Sequence, residues 1–196
     1  MDRTLPITLL TGYLGAGKTT LLGRILSQPH GKSIAVLTYE LPDAGIDQQL
    51  QALIGAFKRI LASDEPVDHI MIETSARTAP ARVIGAFFAD DQIRSRTRLD
   101  AILTVVDLRH IVDHWHTPEA VEQIMFGDVL VLNKTDLVAE AELFAVRDRI
   151  RRMNPLAKLH VTRHCELPLE AVLNLQAFDL SRALALDGQL LARAAS

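Results

Sequence analysis

Short apolar runs alternate with longer segments of helical spacing along this chain. The runs are Ile7–Leu10, Ile34–Leu37, Ile70–Ile72, Ile102–Val106, Val129–Leu132 and, more weakly, Leu159–Val161. A run without polar alternation is the pattern of a strand covered on both faces, so these predict a mostly parallel sheet. Between them, Leu50, Leu53, Ile54, Phe57 and Leu61 fall on one face of a helix. Leu143, Val146, Ile150 and Met153 mark another, which Asn154-Pro155 should stop because the residue before proline is pushed out of the α region. From Leu167 onward the pattern is again helical and runs to Ala194-Ala195-Ser196. Strands alternating with helices predict a three-layer α/β fold, with helices on both faces of the sheet. No repeat or low-complexity linker interrupts residues 1–196, so the expectation is a single domain with no C-terminal domain.

The first run leads into Gly12-Tyr13-Leu14-Gly15-Ala16-Gly17-Lys18-Thr19-Thr20, and Leu21, Leu22, Ile25 and Leu26 follow at helical spacing. This matches G-x-x-x-x-G-K-[ST] in its strand–loop–helix context, and it sharpens the fold expectation to a P-loop NTPase. Backbone N–H groups of Gly12, Gly15, Ala16, Gly17 and Thr20, with the helix N-terminus, would face a polyphosphate. Lys18 would reach the β- and γ-phosphates, and the Thr19 hydroxyl would sit on Mg²⁺. A glycine turn before an ordinary core helix is the rival reading, and it leaves the adjacent Lys-Thr pair unexplained.

Asn133-Lys134-Thr135-Asp136 directly follows the run Val129–Leu132. Guanine presents N1–H and its exocyclic amine side by side, and one carboxylate at Asp136 can accept from both. Adenine lacks that donor pair, so a buried Asp136 would be left with an unpaired charge. Asn133 could reach the guanine edge or tie this loop to the P-loop, and the Lys134 stem could lie over the ring. Ligands of open α/β sheets bind outside the carboxyl ends of the strands, where both motifs fall. The expected cofactors are therefore GTP or GDP with Mg²⁺. Glu73 ends the run His69–Ile72, where a second acidic residue would hold Mg²⁺ directly or through water. Glu40 stands just past Leu37-Thr38-Tyr39, where a switch segment would face the γ-phosphate. It could ligand Mg²⁺ or orient the attacking water, with Asp43 as a second candidate.

Composition narrows the partners. A net charge of −3 gives no electrostatic case for nucleic acid, and no stretch approaches a membrane span. The N-terminus enters the first strand almost at once, and Cys165 is the single cysteine, so the expectation is a cytoplasmic protein without disulfides. One cysteine also excludes an all-cysteine metal site within one chain.

Taken in order, these pieces resemble the CobW-like P-loop GTPases, metallochaperones related to the nickel-insertion GTPases. The resemblance is carried by Thr11 to Leu22, Gly45-Ile46-Asp47, Ile72-Glu73-Thr74-Ser75, Thr104-Val105-Val106-Asp107 and Gln123-Ile124. It continues through Leu132 to Leu137, Asn154-Pro155 and Ala177-Phe178-Asp179-Leu180. It implies a GTPase that couples hydrolysis to delivering a metal, often zinc or cobalt, to a client metalloprotein, and it implies self-association as a homodimer. Three departures stand out. The family's Cys-x-Cys-Cys motif is missing, since Ile46-Asp47-Gln48-Gln49-Leu50 leads almost directly into a helix. The usual Asn-Glu-Phe-Gly-Glu switch reads Tyr39-Glu40-Leu41-Pro42-Asp43, and Ala76 replaces a glycine. The altered switch keeps open a nucleotide-binding scaffold with impaired turnover; a P-loop kinase for a small metabolite is a third reading, opposed by Asn133 to Asp136. Histidines could stand in for the cysteines: His110 and His114, at i, i+4, would share a helix face as Zn²⁺ ligands do. His160, His164 and Cys165 form a looser group expected near the base.

Overall fold

The computed structural model describes residues 4–39 and 46–190. Its core is a parallel sheet of six strands: β1 (Leu5–Gly12), β2 (Ile34–Tyr39), β3 (His69–Thr74), β4 (Thr97–Asp107), β5 (Val129–Asn133) and β6 (Lys158–Val161). They lie in the order β2-β3-β1-β4-β5-β6, and every neighbouring pair is parallel. Each apolar run seen in the sequence is one of these strands. The inner strands are the most apolar because helices cover both of their faces: Ile7, Leu9, Leu10, Leu103, Leu130 and Val131 are all fully buried.

The helices are α1 (Lys18–Ser27), α2 (Ile46–Ala62), α3 (Pro80–Ala89), α4 (Asp91–Arg96), α5 (Pro118–Phe126), α6 (Glu140–Met153) and α7 (Leu180–Leu186). On one side, Phe57 and Leu53 of α2 pack with Val83, Ile84 and Phe87 of α3 against Ile7, Leu9 and Ile70. On the other, Leu21, Leu22 and Ile25 of α1 pack against Leu10, Met71 and Leu103. Val146 and Ile150 of α6 cover β5 with Trp115 and Ile124. Both α3 and α5 begin at proline, whose missing N–H costs nothing in a first turn. As expected, α6 stops at Asn154.

The C-terminal stretch corrects the continuous helical reading. Among the described residues beyond Leu167 there are a 3₁₀ turn at Leu169–Ala171 and then α7, joined by irregular chain in which Asn174 and Gln176 are left-handed; Ala194-Ala195-Ser196 lie outside the described residues. Buried polar anchors replace helix there. Asp100 of β4 is fully buried; its carboxylate accepts N–H bonds from Leu175 (2.8 Å) and Gln176 (3.0 Å), and its carbonyl accepts from Ala177 and Phe178. Arg182 of α7 then reaches back to Asp128 at 3.1 Å and to the carbonyls of Met125, Phe126 and Gly127. These contacts fasten the tail across the amino-terminal side of the sheet, away from the carboxyl ends that carry the motifs.

Candidate functional site

β1, β3, β4 and β5 end side by side, at Gly12, Thr74, Asp107 and Asn133. The P-loop leaves β1 through Gly12, whose φ of +146° and close approach to β4 allow no side chain: a Cβ would stand 2.3 Å from the Val105 carbonyl oxygen. Gly17 turns the loop into α1 at φ +113°. Ala16 is buried, while Thr19 and Thr20 of the first turn of α1 are exposed at the sheet edge. Gly15 sits at φ +71° with open space around it.

Lys18 Nζ donates to the Gly12 carbonyl at 2.7 Å, so the ammonium lies inside the loop curve. Burial lowers its pKa, and the carboxylate of Glu73 opposes that shift. The Thr19 hydroxyl donates to Glu73 Oε1 at 2.7 Å. The two residues that sequence spacing assigned to Mg²⁺ are therefore neighbours although 54 positions apart. An uncharged hydroxyl and a carboxylate are hard oxygen donors, the ligand type Mg²⁺ takes. Glu40 and Asp43 lie outside the described residues.

The base motif stands directly behind the P-loop. Asn133 is 3 % exposed, and its Nδ2 donates to the Ala16 carbonyl at 2.9 Å while its Oδ1 accepts the Cys165 N–H at 2.9 Å. Of the two roles open to Asn133, the structure has the loop tie. Gly17 must be glycine for the same reason, since a Cβ would meet Asn133 Nδ2 at 2.7 Å. Lys134 follows in the left-handed region at φ 66°. Asp136 is exposed in a short 3₁₀ turn at Thr135–Leu137, open to solvent and not buried as the base-selection argument supposed. The segment after β6 reaches the P-loop and Asn133, and in it His164 and Cys165 are both left-handed, at φ 53° and 57°. The Cys165 thiol packs on the Gly17 carbonyl, and burial pushes its pKa up to about 11, which favours the neutral thiol.

The zinc expectation for His110 and His114 loses its geometric premise. The turn at Ile111–His114 is 3₁₀, with three residues per turn, so positions four apart no longer share a face. The His110 ring meets Asp107 at 2.9 Å, whereas the His114 ring packs on Tyr13 of the P-loop, with centroids 4.3 Å apart. Among the described residues, no three His, Cys, Asp or Glu side chains gather as a metal site.

Two residues had no assigned role in the sequence. Asp107 is almost fully buried at the end of β4, paired in register with Asn133. Burial works against its charge, but bonds from His110 and Lys134 outweigh it and hold the carboxyl below its ordinary range. Gln123 of α5 donates to the carbonyls of Ala76 and Thr78, clamping the loop that follows Glu73. A charged residue closing an apolar strand was the available signal for Asp107; Gln123 stood out only as part of the Gln123-Ile124 piece of the family resemblance, which did not say what it holds.

The site is matched by known proteins. The family profile described as CobW/HypB/UreG, nucleotide-binding domain, covers residues 6–53 and 50–161. Zinc-regulated GTPase metalloprotein activator 1 of Schizosaccharomyces pombe is 33% identical over 203 residues, spanning 88% of this chain and 49% of that protein. The zinc chaperone YjiA of Escherichia coli is 30% identical over 200 residues, spanning 89% and 62%. The chain thus spans between about half and three fifths of the length of these two curated relatives. The crystal structure of Zn(II)-bound YjiA GTPase from E. coli superposes with a TM-score of 0.72 at 27% identity, over 90% of this chain and 63% of that one. A triple mutant of the same GTPase, with two cysteines changed to alanine, is also Zn(II)-bound and superposes equally well, at 26% identity over 91% and 64%. With the P-loop NTPase fold, the phosphate loop and the base loop all in place, the chain belongs to the CobW/HypB/UreG nucleotide-binding domain family.

Proposed function

We propose that this protein binds GTP and hydrolyses it to GDP and phosphate, in the service of delivering a metal ion to a client protein. The observation that carries the guanine-nucleotide reading is the 2.9 Å bond from Asn133 to the Ala16 carbonyl. It locks the phosphate loop and the base loop into one rigid unit, so a phosphate chain and a guanine ring are recognised at a fixed separation. Thr19 and Glu73 would hold Mg²⁺, which supplies charge neutralisation at the β- and γ-phosphates. Lys18 places a second positive charge at the same phosphates, and the backbone N–H groups from Gly15 to Thr19 orient them. Glu40 and Asp43 are the candidates for positioning the attacking water. Asp136 accepts the two guanine donors, and its open position lets the base enter from solvent.

Zinc is the proposed cargo. Support comes from relatives called a zinc chaperone and a zinc-regulated metalloprotein activator. The zinc-bound YjiA mutant with two cysteines replaced shows that, in that protein, zinc is held without those thiols. Turnover of GTP and ATP with Mg²⁺, with and without Zn²⁺, beside Lys18→Ala, tests the proposal. Turnover confined to GTP and lost in the variant supports it. Tight GTP binding without turnover favours the nucleotide-binding scaffold, for which Pro42 and Ala76 in the switch segments speak. Transfer of phosphate from ATP to a metabolite would overturn both.

A further inference from the structure

Asp107 gathers four contacts at the end of β4. Its Oδ1 accepts the N–H groups of Arg109 at 3.0 Å and His110 at 3.3 Å, which fixes the carboxylate plane. Its Oδ2 then faces the His110 ring at 2.9 Å and the Lys134 ammonium at 2.7 Å. The Asp107 side chain is 5% exposed, and Lys134 is the more buried of the two side chains it meets, at 28% against 53% for His110. Register explains the meeting. Asp107 sits opposite Asn133 across β4 and β5, so the next residue, turned at φ 66°, swings its side chain back over the end of β4. A lysine stem has four rotatable carbons and settles in one place only when its end is held.

We propose that Asp107 is a positioning residue for nucleotide binding: it anchors the Lys134 ammonium so that the lysine stem stands ready along the base site before a guanine nucleotide enters. The inference rests on the guanine-nucleotide reading above. Without the anchor, the stem must be ordered by the ligand itself, and that ordering is subtracted from affinity. The charge-assisted bond also makes Asp107 act through Lys134 and not by touching the nucleotide.

The test is a double-mutant cycle on GDP affinity with Mg²⁺, measured by calorimetry on the full chain, its Asp107→Asn and Lys134→Gln variants and the double variant. Asp107→Asn should weaken GDP binding about tenfold, the loss typical of one charge-assisted contact. The double variant should bind as the Lys134→Gln protein does, because the anchor has nothing left to hold. Losses that multiply in the double variant would show that Asp107 acts through the fold and would overturn the proposal. Should Asp107→Asn fail to fold, Asp107→Glu, which keeps the charge and displaces it by one methylene, enters the same cycle with the same criterion. A wild-type chain that binds no GDP removes the guanine reading and this inference together; binding with multiplicative losses removes the inference alone.

Discussion

Two glycines of the same loop separate two kinds of constraint at the residue scale. Gly12 and Gly15 both have positive φ, but only Gly12 lies against backbone. Adding a methyl group at Gly12 forces the Val105 carbonyl, and with it the β1–β4 pairing, to move. Gly12→Ala should therefore lower unfolding free energy by about 3 kcal/mol. Gly15→Ala meets open space and should cost only the left-handed conformation, about 1 kcal/mol. Urea unfolding of both variants checks the contrast, and equal losses would mean that steric contact at Gly12 is not what fixes the loop. The glycine signature was legible in the sequence. Which of its glycines is sterically compelled was not, because the compelling atom belongs to a strand 93 residues further on.

At the scale of elements, the end of α5 is where the fold is stitched. Asn154, the C-cap of α6, donates through Nδ2 to the carbonyls of Ile124, Met125 and Gly127. Arg182 of α7 donates to Met125, Phe126 and Gly127. Helix C-termini leave four carbonyls without intrahelical partners, and here two distant side chains supply the donors. Asn154→Ala should cost about 2 kcal/mol, since it removes the side-chain donor from the buried Ile124 carbonyl and leaves Met125 and Gly127 to Arg182 alone. Combined with Arg182→Met, the loss should differ from the sum of the single losses, because both donors share Met125 and Gly127. Strict additivity in thermal unfolding would contradict a shared cap. Asn154-Pro155 was readable as a helix stop, but its capping of another helix was not. The same limit hid α3, whose Val83 to Phe87 are all buried and so show no polar face to betray the helical period. Charges at Arg98 and Asp100 likewise masked the first half of β4, since a buried Asp100 makes sense only once the tail that donates to it is in place.

Over the whole molecule, the six-stranded sheet and the nucleotide loops were legible because each strand and each motif is written in contiguous residues. What escaped the sequence was contact between elements: Asp107 with Lys134, Gln123 with the loop after β3, and the tail with Asp100. The same buried polar groups give the fold a pH dependence. His69 of β3 is fully buried, its ring 2.8 Å from the Thr8 hydroxyl of β1, and burial holds its pKa below the ordinary histidine range. The unfolded chain therefore takes up this proton first, so His69 lowers stability as pH falls below about 6.5. Asp128 works the other way. Burial raises its carboxyl to about 6, so its contribution is present below the ordinary carboxylate range and is lost as pH rises through about 6. In urea unfolding between pH 7.5 and 5, His69→Gln should show a smaller loss of stability on acidification than the wild type. An unchanged slope would mean that the imidazole does not titrate with folding.

If the carboxyl ends of these strands read a guanine nucleotide, Asp136 is the residue that must distinguish the base. In xanthine a carbonyl replaces the exocyclic amine of guanine, turning one donor into an acceptor. A carboxylate at Asp136 suits the guanine donors, whereas an amide can accept from N1–H and donate to the xanthine carbonyl. Dissociation constants for GDP, XDP and ADP, measured with Mg²⁺ on the wild type and on Asp136→Asn, decide the matter. The wild type should prefer GDP to both others by about a hundredfold or more, and the variant's preference should move to XDP. A wild type that binds ADP as well as GDP, or a variant that keeps its preference for GDP, would contradict the guanine reading.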